Sequence, residues 1–158
     1  MLHRWAALAL VLALCALVPE QAAGQSQQPG RKTAGGVGRN YPNPFNPETF
    51  IPMHVGHAPD HAGAPDCSAD EGKQHVVSLR IYNVLAQLVA IPVLQASSGG
   101  SGAAGAQPLN GLVLTCGDYV AYWDGRYLNT RREVASGVYL FELTVDGQRS
   151  HHKGFVSK

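Results

Sequence analysis

The sequence has few charged residues and no excess of either sign. Lys and Arg number 12 and Asp and Glu number 11 in 158 residues, which gives a formal net charge of +1, and charged residues make up only 15% of the chain. This composition provides neither a basic stripe for a phosphate backbone nor an acidic tail, so nucleic acid is not an expected partner. The length leaves room for one domain of ordinary size.

Long stretches that favour a helix are also scarce. The 18 glycines and 10 prolines would interrupt the helices of a bundle. Apolar residues instead alternate with polar ones, which is the period of half-buried strands. This alternation predicts strands over 51–55, 77–82, 119–123 and 138–145, with a short apolar segment over 88–94. The hairpin signal Asp146-Gly147 predicts a return strand over 148–156. Short strands separated by turns predict an all-β fold with an antiparallel β-sandwich.

Only one long apolar run is present, at residues 5–18, and it follows a short basic start. Fourteen apolar residues are too few to cross a bilayer core of about 30 Å, which needs about 20 in a helix. The run predicts a secretory signal peptide over residues 1–24, with the small residues Ala22 and Gly24 preceding the cleavage site. No stable membrane anchor is therefore expected.

Cysteine is rare once the signal peptide is removed, because only Cys67 and Cys116 remain. In an oxidising compartment the two cysteines are expected to pair, and the alternative is two free thiols. Closing a loop of about 50 residues stabilises a protein by about 4 kcal/mol on the chain-entropy model.

Three segments lack apolar periodicity. Residues 25–39 are predicted to be a flexible leader before a domain that covers residues 40–158. Within that domain, residues 56–75 and 95–116 are predicted to be loop insertions.

The first insertion contains the most prominent cluster of potential metal ligands, with His57, Asp60 and His61 as candidates. Imidazole and carboxylate groups suit zinc or copper. Pro59 lies among them, however, so a helix that would align the histidines is not expected, and a solvated polar insert is the preferred interpretation. No cofactor is expected. No spacing of serines, histidines or carboxylates matches a catalytic motif, so the protein is not predicted to be an enzyme.

Two further patterns have structural explanations. Residues 100–105 match G-x-G-x-x-G formally, but the sequence after them cannot begin the helix that a dinucleotide site requires. Four tyrosines and three arginines suggest an aromatic and basic surface for carbohydrate or protein, although core or rim positions explain them better; they are Tyr119, Tyr122, Tyr127, Tyr139, Arg126, Arg131 and Arg132.

Several short blocks occur in a distinctive order along the chain. The first block consists of Asn40, Tyr41, Pro42, Asn43, Pro44, Phe45, Asn46 and Pro47. The later blocks are residues 77–89, then Trp123, Asp124 and Gly125, then Ser136, Gly137, Val138 and Tyr139, with Lys153 and Lys158 near the end. Together they resemble the C-terminal sorting domains carried by cargo of the bacterial type IX secretion system, which are related to the Ig-like domain of the flagellar hook-capping protein.

The resemblance implies an Ig-like antiparallel β-sandwich of about seven strands. It also implies a non-catalytic export signal that passes through the periplasm and is recognised by an outer-membrane translocon, followed by release or attachment to the cell surface. The expected partners are proteins, either the translocon or cell-surface components. The alternative is a free-standing extracellular Ig-like module with a structural or adhesive role.

The blocks also have structural roles that need no family. The prolines predict an extended, polyproline-like entry, with Asn43 and Asn46 capping its turns. Trp123 is large enough to fill the middle of a small sandwich, and a chain reversal is expected directly after it. Ala86 stands where the family usually has glycine, so its turn is strained if it requires a positive φ.

Overall fold

The structure is a computed structural model that describes residues 34–56, 67–95, 107–128 and 130–158. It contains nine strands and a short 3-10 helix at Cys67–Asp70. The strands are β1 (Gly35–Val37), β2 (Thr49–Val55), β3 (Gln74–Tyr82), β4 (Leu88–Ala90), β5 (Val93–Leu94), β6 (Asn110–Thr115), β7 (Gly117–Trp123), β8 (Gly137–Val145) and β9 (Gln148–Val156).

The strands form two sheets whose strand pairings are antiparallel. The first sheet has the order β1-β2-β7-β5, and the second has the order β4-β3-β8-β9, with β6 also pairing with β3. In chain order this matches the ABED and CFG sheets of an immunoglobulin sandwich, with β4 and β6 as additional strands. The predicted Ig-like β-sandwich is confirmed, with nine strands in place of about seven.

The core lies between the sheets because strands β2, β3, β7 and β8 bury alternate side chains. Strand β2 buries Thr49, Ile51, Met53 and Val55. The facing strand β8 buries Tyr139, Phe141, Leu143 and Val145.

A tyrosine fastens the crossover from the first sheet to the second. Tyr139 is the third residue of β8, and its hydroxyl donates a hydrogen bond to the Ala135 carbonyl at 2.8 Å. This is the tyrosine corner found at the entry to the equivalent strand of immunoglobulin domains. The residue therefore has a structural role that its position in the fold explains.

The predicted leader is wrong at its C-terminal end, because Gly35–Val37 forms β1 and pairs with β2. The strand has no apolar alternation because glycine is needed there. A Cβ at Gly35 would lie 2.7 Å from both the His54 carbonyl oxygen and a Val145 methyl group. The predicted signal peptide, residues 1–24, and residues 25–33 lie outside the described residues.

The predicted boundaries of both insertions also need correction. Residues 74 and 75 begin β3, and residues 110–115 form β6, which pairs with β3 over Gln74–Ser78. The apolar segment 88–94 divides into β4 and β5, which belong to different sheets. Low-complexity sequence beside β6 conceals the strand, and Pro92 interrupts the apolar segment.

Cys67 and Cys116 form a disulfide, so the predicted pairing is confirmed. The bond joins the 3-10 helix, which lies within the first predicted insertion, to the junction between β6 and β7. It closes a loop with a sequence separation of 49 residues. Pairing of this kind constrains the unfolded chain and fixes the 3-10 helix to the sandwich.

Candidate recognition surface

The first block of the resemblance, residues 40–47, forms a loop that is closed by its own hydrogen bonds. Buried Asn40 donates from its side-chain amide to the Pro42 carbonyl at 3.0 Å and to Thr49 Oγ1 at 2.9 Å. The Thr49 hydroxyl in turn donates to the Pro42 carbonyl at 3.1 Å. The prediction of an extended polyproline-like entry is wrong, because residues 42–44 and 46–47 form bends that return the chain to β2.

Phe45 fastens this loop to the last strand. Its ring is 1% exposed, and its centroid lies 5.4 Å from that of Trp123. The Phe45 N–H donates to the Phe155 carbonyl, and the Ser157 N–H donates to the Phe45 carbonyl. Asn43 Oδ1 accepts a hydrogen bond from the Phe155 N–H at 3.1 Å. The first block and the C-terminal strand therefore form one unit.

Trp123 and the two residues after it form the second part of the surface. Trp123 fills the sandwich as predicted, and its ring packs edge-on against Tyr139 at 5.5 Å. Its indole N–H donates to the Arg126 carbonyl, and Asp124 Oδ1 accepts from the Arg126 N–H, so the predicted reversal is confirmed.

Glycine is required at position 125 for two reasons. Its φ is +71°, and a Cβ there would overlap the carbonyl oxygen of Pro47. The Gly125 turn and the proline-rich loop are thus in direct contact. This close approach links the first block to the block around Trp123.

The block at residues 136–139 meets the chain terminus. Ser136 Oγ accepts from the Lys158 N–H at 3.1 Å, and Lys158 Nζ lies 2.9 Å from Glu133 Oε2. The hydrogen bond from Lys158, together with its charge, holds the pKa of Glu133 below its usual value. Val138 pairs with Phe155 across β8 and β9, and both side chains are exposed.

Three blocks and the terminus therefore converge at one end of the sandwich. We call this surface the motif face and define it by residues 40–47, 124–126, 133–138 and 155–158. Its exposed apolar side chains are Tyr41 at 51%, Phe155 at 45% and Val138 at 37%. Asn46, which was predicted to cap a turn, is exposed on this face.

Residues 77–89 form β3, its turn and the start of β4, and they contribute the turn to the same end. Tyr82 pairs with Leu140, so β3 ends close to where β8 begins. Asn83 Oδ1 accepts from the N–H groups of Leu85 and Gln87, and Ala86 has a φ of +57°. The expected strain at a non-glycine residue is therefore present. Lys153 is an exposed residue of β9 and lies opposite Leu140.

The metal-site candidates His57, Asp60 and His61 lie outside the described residues. Among the residues that are described, no group of three His, Cys, Asp or Glu side chains is placed to hold a metal ion. The same part of the chain contains no helix long and apolar enough to cross a membrane.

A polar cluster surrounds His75 at the start of β3, outside the motif face. This residue is 6% exposed, and its Nδ1 lies 2.7 Å from Asp146 Oδ2, while Asp70 is 2% exposed and pairs with Lys73. Burial acts to raise the pKa of Asp146, but the His75 hydrogen bond, the Val76 N–H and the His75 charge lower it overall. The cluster joins the 3-10 helix, β3 and the β8–β9 turn, so its evident role is structural.

The tyrosine and arginine residues divide between core and surface. Tyr119 and Tyr139 are buried, whereas Tyr122 and Tyr127 line an open depression of about 260 Å³ beside β4 and β5. Arg132 lies over the Tyr127 ring at 5.2 Å. The Tyr122 hydroxyl donates to Glu48 at 2.7 Å, which is the main cause that raises the pKa of Tyr122 to about 12.

Comparisons with known proteins give no relative to set beside this geometry. A scan against family models, a search of curated proteins and a search of solved structures each returned no match. Interpretation of the motif face therefore depends on its own geometry and on the sequence resemblance.

Proposed function

We propose that this domain is a non-catalytic sorting signal of the type IX kind, recognised by an outer-membrane translocon for export or surface attachment. The observation that carries the proposal is the convergence of separate sequence blocks on the motif face. Fold stability accounts for their buried members, Asn40, Phe45, Trp123 and Tyr139. It does not account for exposed apolar side chains on the same blocks, which suit contact with another protein.

The contacts of Lys158 support the same proposal. Lys158 is held by Ser136 through its backbone and by Glu133 through its ammonium group. Lys158 is therefore fixed on the motif face, which also carries the Val138 and Phe155 side chains. A partner that contacts this face meets a fixed surface, which reduces the entropy lost on binding.

A reporter fusion tests this function. Residues 34–158 are attached behind a periplasmically exported reporter in a host that has a type IX system, and also in a strain without the translocon. The proposal predicts reporter outside the cells of the first strain and only periplasmic reporter in the second. Periplasmic retention in both strains would contradict it and favour a free-standing structural or adhesive module.

A matched pair of surface variants separates recognition from folding. Phe155→Ser alters the motif face, whereas Val76→Ser alters a side chain of similar exposure, 52% against 45%, near the opposite end of the sandwich. We expect Phe155→Ser to reduce the exported fraction and Val76→Ser to leave it unchanged. Equal export of the two folded variants would exclude the motif face as the recognised surface.

A further inference from the structure

The outer edge of β9 is protected against pairing with another strand. Val37 in β1 donates to Ser150 Oγ at 2.9 Å, and the residue 40–47 loop bonds to Phe155 at the other end. The exposed side chains of β9 include three basic residues, Arg149, His151 and Lys153. Charged side chains and covered ends are the usual protection of an edge strand.

The outer edge of β6 lacks this protection. On the side of β3 that faces β6, the Leu79 N–H donates to the Leu109 carbonyl. On the opposite side, the Val76 N–H donates to Asp146 Oδ1 and the Val76 carbonyl accepts from the Asp146 N–H. Backbone groups alternate in direction along a strand, so Leu112 and Leu114 of β6 bond to β3 and Val113 faces away. This alternation places the Val113 N–H and carbonyl on the outer edge of β6, and no other strand of the described residues pairs with that edge.

Strand β6 has no charged side chain, and the side chains at its centre are apolar. Residues 110–116 contain no Asp, Glu, Lys, Arg or His. Val113 pairs with Val76 of β3, and these side chains are 51% and 52% exposed. A neutral edge strand with exposed apolar residues is a template for an added strand.

We propose that β6 pairs with β6 of a second copy of this chain, antiparallel about a two-fold axis at Val113. The two Val113 residues then exchange both backbone hydrogen bonds, and Gly111 of each copy lies opposite Thr115 of the other. The pairing centres on Val113, because the Gly111 N–H already donates to Ser78 Oγ at 2.8 Å and the Thr115 carbonyl already accepts from the Tyr119 hydroxyl at 2.9 Å. The Val76 and Val113 side chains of both copies form one continuous apolar stripe. Because the strand carries no charge, the two copies do not repel each other.

This dimer is independent of the proposed export function, since β6 contributes no residue to the motif face. The shared edge is short, so the dimer is expected to be weak and to form as protein concentration rises. Sedimentation equilibrium from about 10 μM to about 1 mM covers the range expected for such an interface. The protein used is the full chain with its disulfide intact.

Two lysine variants locate the interface. Val113→Lys places two positive charges together at the proposed axis, whereas Val138→Lys adds the same charge at an exposed position on β8. We expect the native protein and Val138→Lys to self-associate equally, and Val113→Lys to lose the dimer. A native protein that stays monomeric throughout, because another segment or another protein covers the edge, would overturn the proposal, as would a dimer that survives Val113→Lys.

Cysteine cross-linking tests the register, even if the lysine variant fails to fold. Hydrogen-bonded residues in an antiparallel pair have Cα atoms about 5.5 Å apart, within the range for a disulfide. The Val76 positions of the two copies would be separated by three strand spacings, about 14 Å. Mild oxidation should therefore link Val113→Cys into a reducible dimer and leave Val76→Cys monomeric. Equal cross-linking of both variants would refute the register.

Discussion

Removal of the Phe45 side chain tests whether the proline-rich loop is fastened through the core. Phe45→Ala deletes a ring that is 1% exposed and packs against Trp123 at 5.4 Å. Loss of a fully buried phenylalanine lowers the free energy of unfolding by about 3–5 kcal/mol, which combines lost burial with the cavity that remains. Phe155→Ala is the matched control, because the Phe155 side chain is 45% exposed and its truncation should cost within about 1 kcal/mol.

The assay is urea unfolding of the processed domain, followed by the fluorescence of Trp123. The midpoint should fall markedly for Phe45→Ala and little for Phe155→Ala, at unchanged slope. On heating, the same loss corresponds to a decrease in Tm on the order of 10 °C. If the two variants had equal midpoints, the reasoning that Phe45 anchors the loop would be refuted.

Four further substitutions test local features. Ala86→Gly should raise the free energy of unfolding by about 1 kcal/mol, because it relieves a positive φ; an unchanged urea midpoint would argue against strain. Gly125→Ala should lower it by about 3 kcal/mol, because its Cβ meets Pro47; chemical unfolding measures the loss, and native-like stability would contradict the contact. Replacing both disulfide cysteines with serine should cost about 4 kcal/mol, measured by calorimetry; no change would show that the bond constrains little. The lowered pKa of Asp146 means that its ionised form stabilises the fold above its unfolded pKa of about 4, and this stability is lost as pH falls through the folded pKa. Asp146→Asn should therefore flatten acid unfolding curves; curves parallel to those of the native protein would contradict this.

The long strands could be predicted because burial of one face imposes a period of two on their sequences. Strands β2, β3 and β8 lie where alternation indicated them, and β9 lies where the Asp146-Gly147 turn signal indicated it. Strands β1 and β6 could not be found in this way. The chain needs glycine at Gly35 for close approach, and in β6 the exposed Val113 stands between the inward-facing Leu112 and Leu114, so neither sequence alternates between apolar and polar residues.

The recognition surface could be predicted only in part. The sequence identified the turn at Gly125 and the core position of Trp123, because glycine favours a turn and tryptophan is large enough to fill a small core. It could not predict that Phe45 would meet Phe155 and Ser157 more than 100 positions away. Such a contact depends on how the two sheets are closed, and no local pattern encodes it.

The two cysteines and the residues around His75 also differ in how well the sequence predicted their contacts. Their pairing followed from there being only two cysteines after the predicted signal peptide, whereas no sequence pattern indicated that His75 would pack between Asp70 and Asp146. His75 and Asp146 lie 71 positions apart, and the antiparallel pairing of β3 with β8 brings them together.

The most direct test of the central claim is the amount of reporter found outside intact cells when it is fused to residues 34–158 in a type IX host. The account predicts that most of the reporter reaches the medium or the cell surface and that loss of the translocon abolishes this. A reporter that remains in the periplasm of the intact host, while the fused domain is folded and its disulfide is formed, would contradict the account.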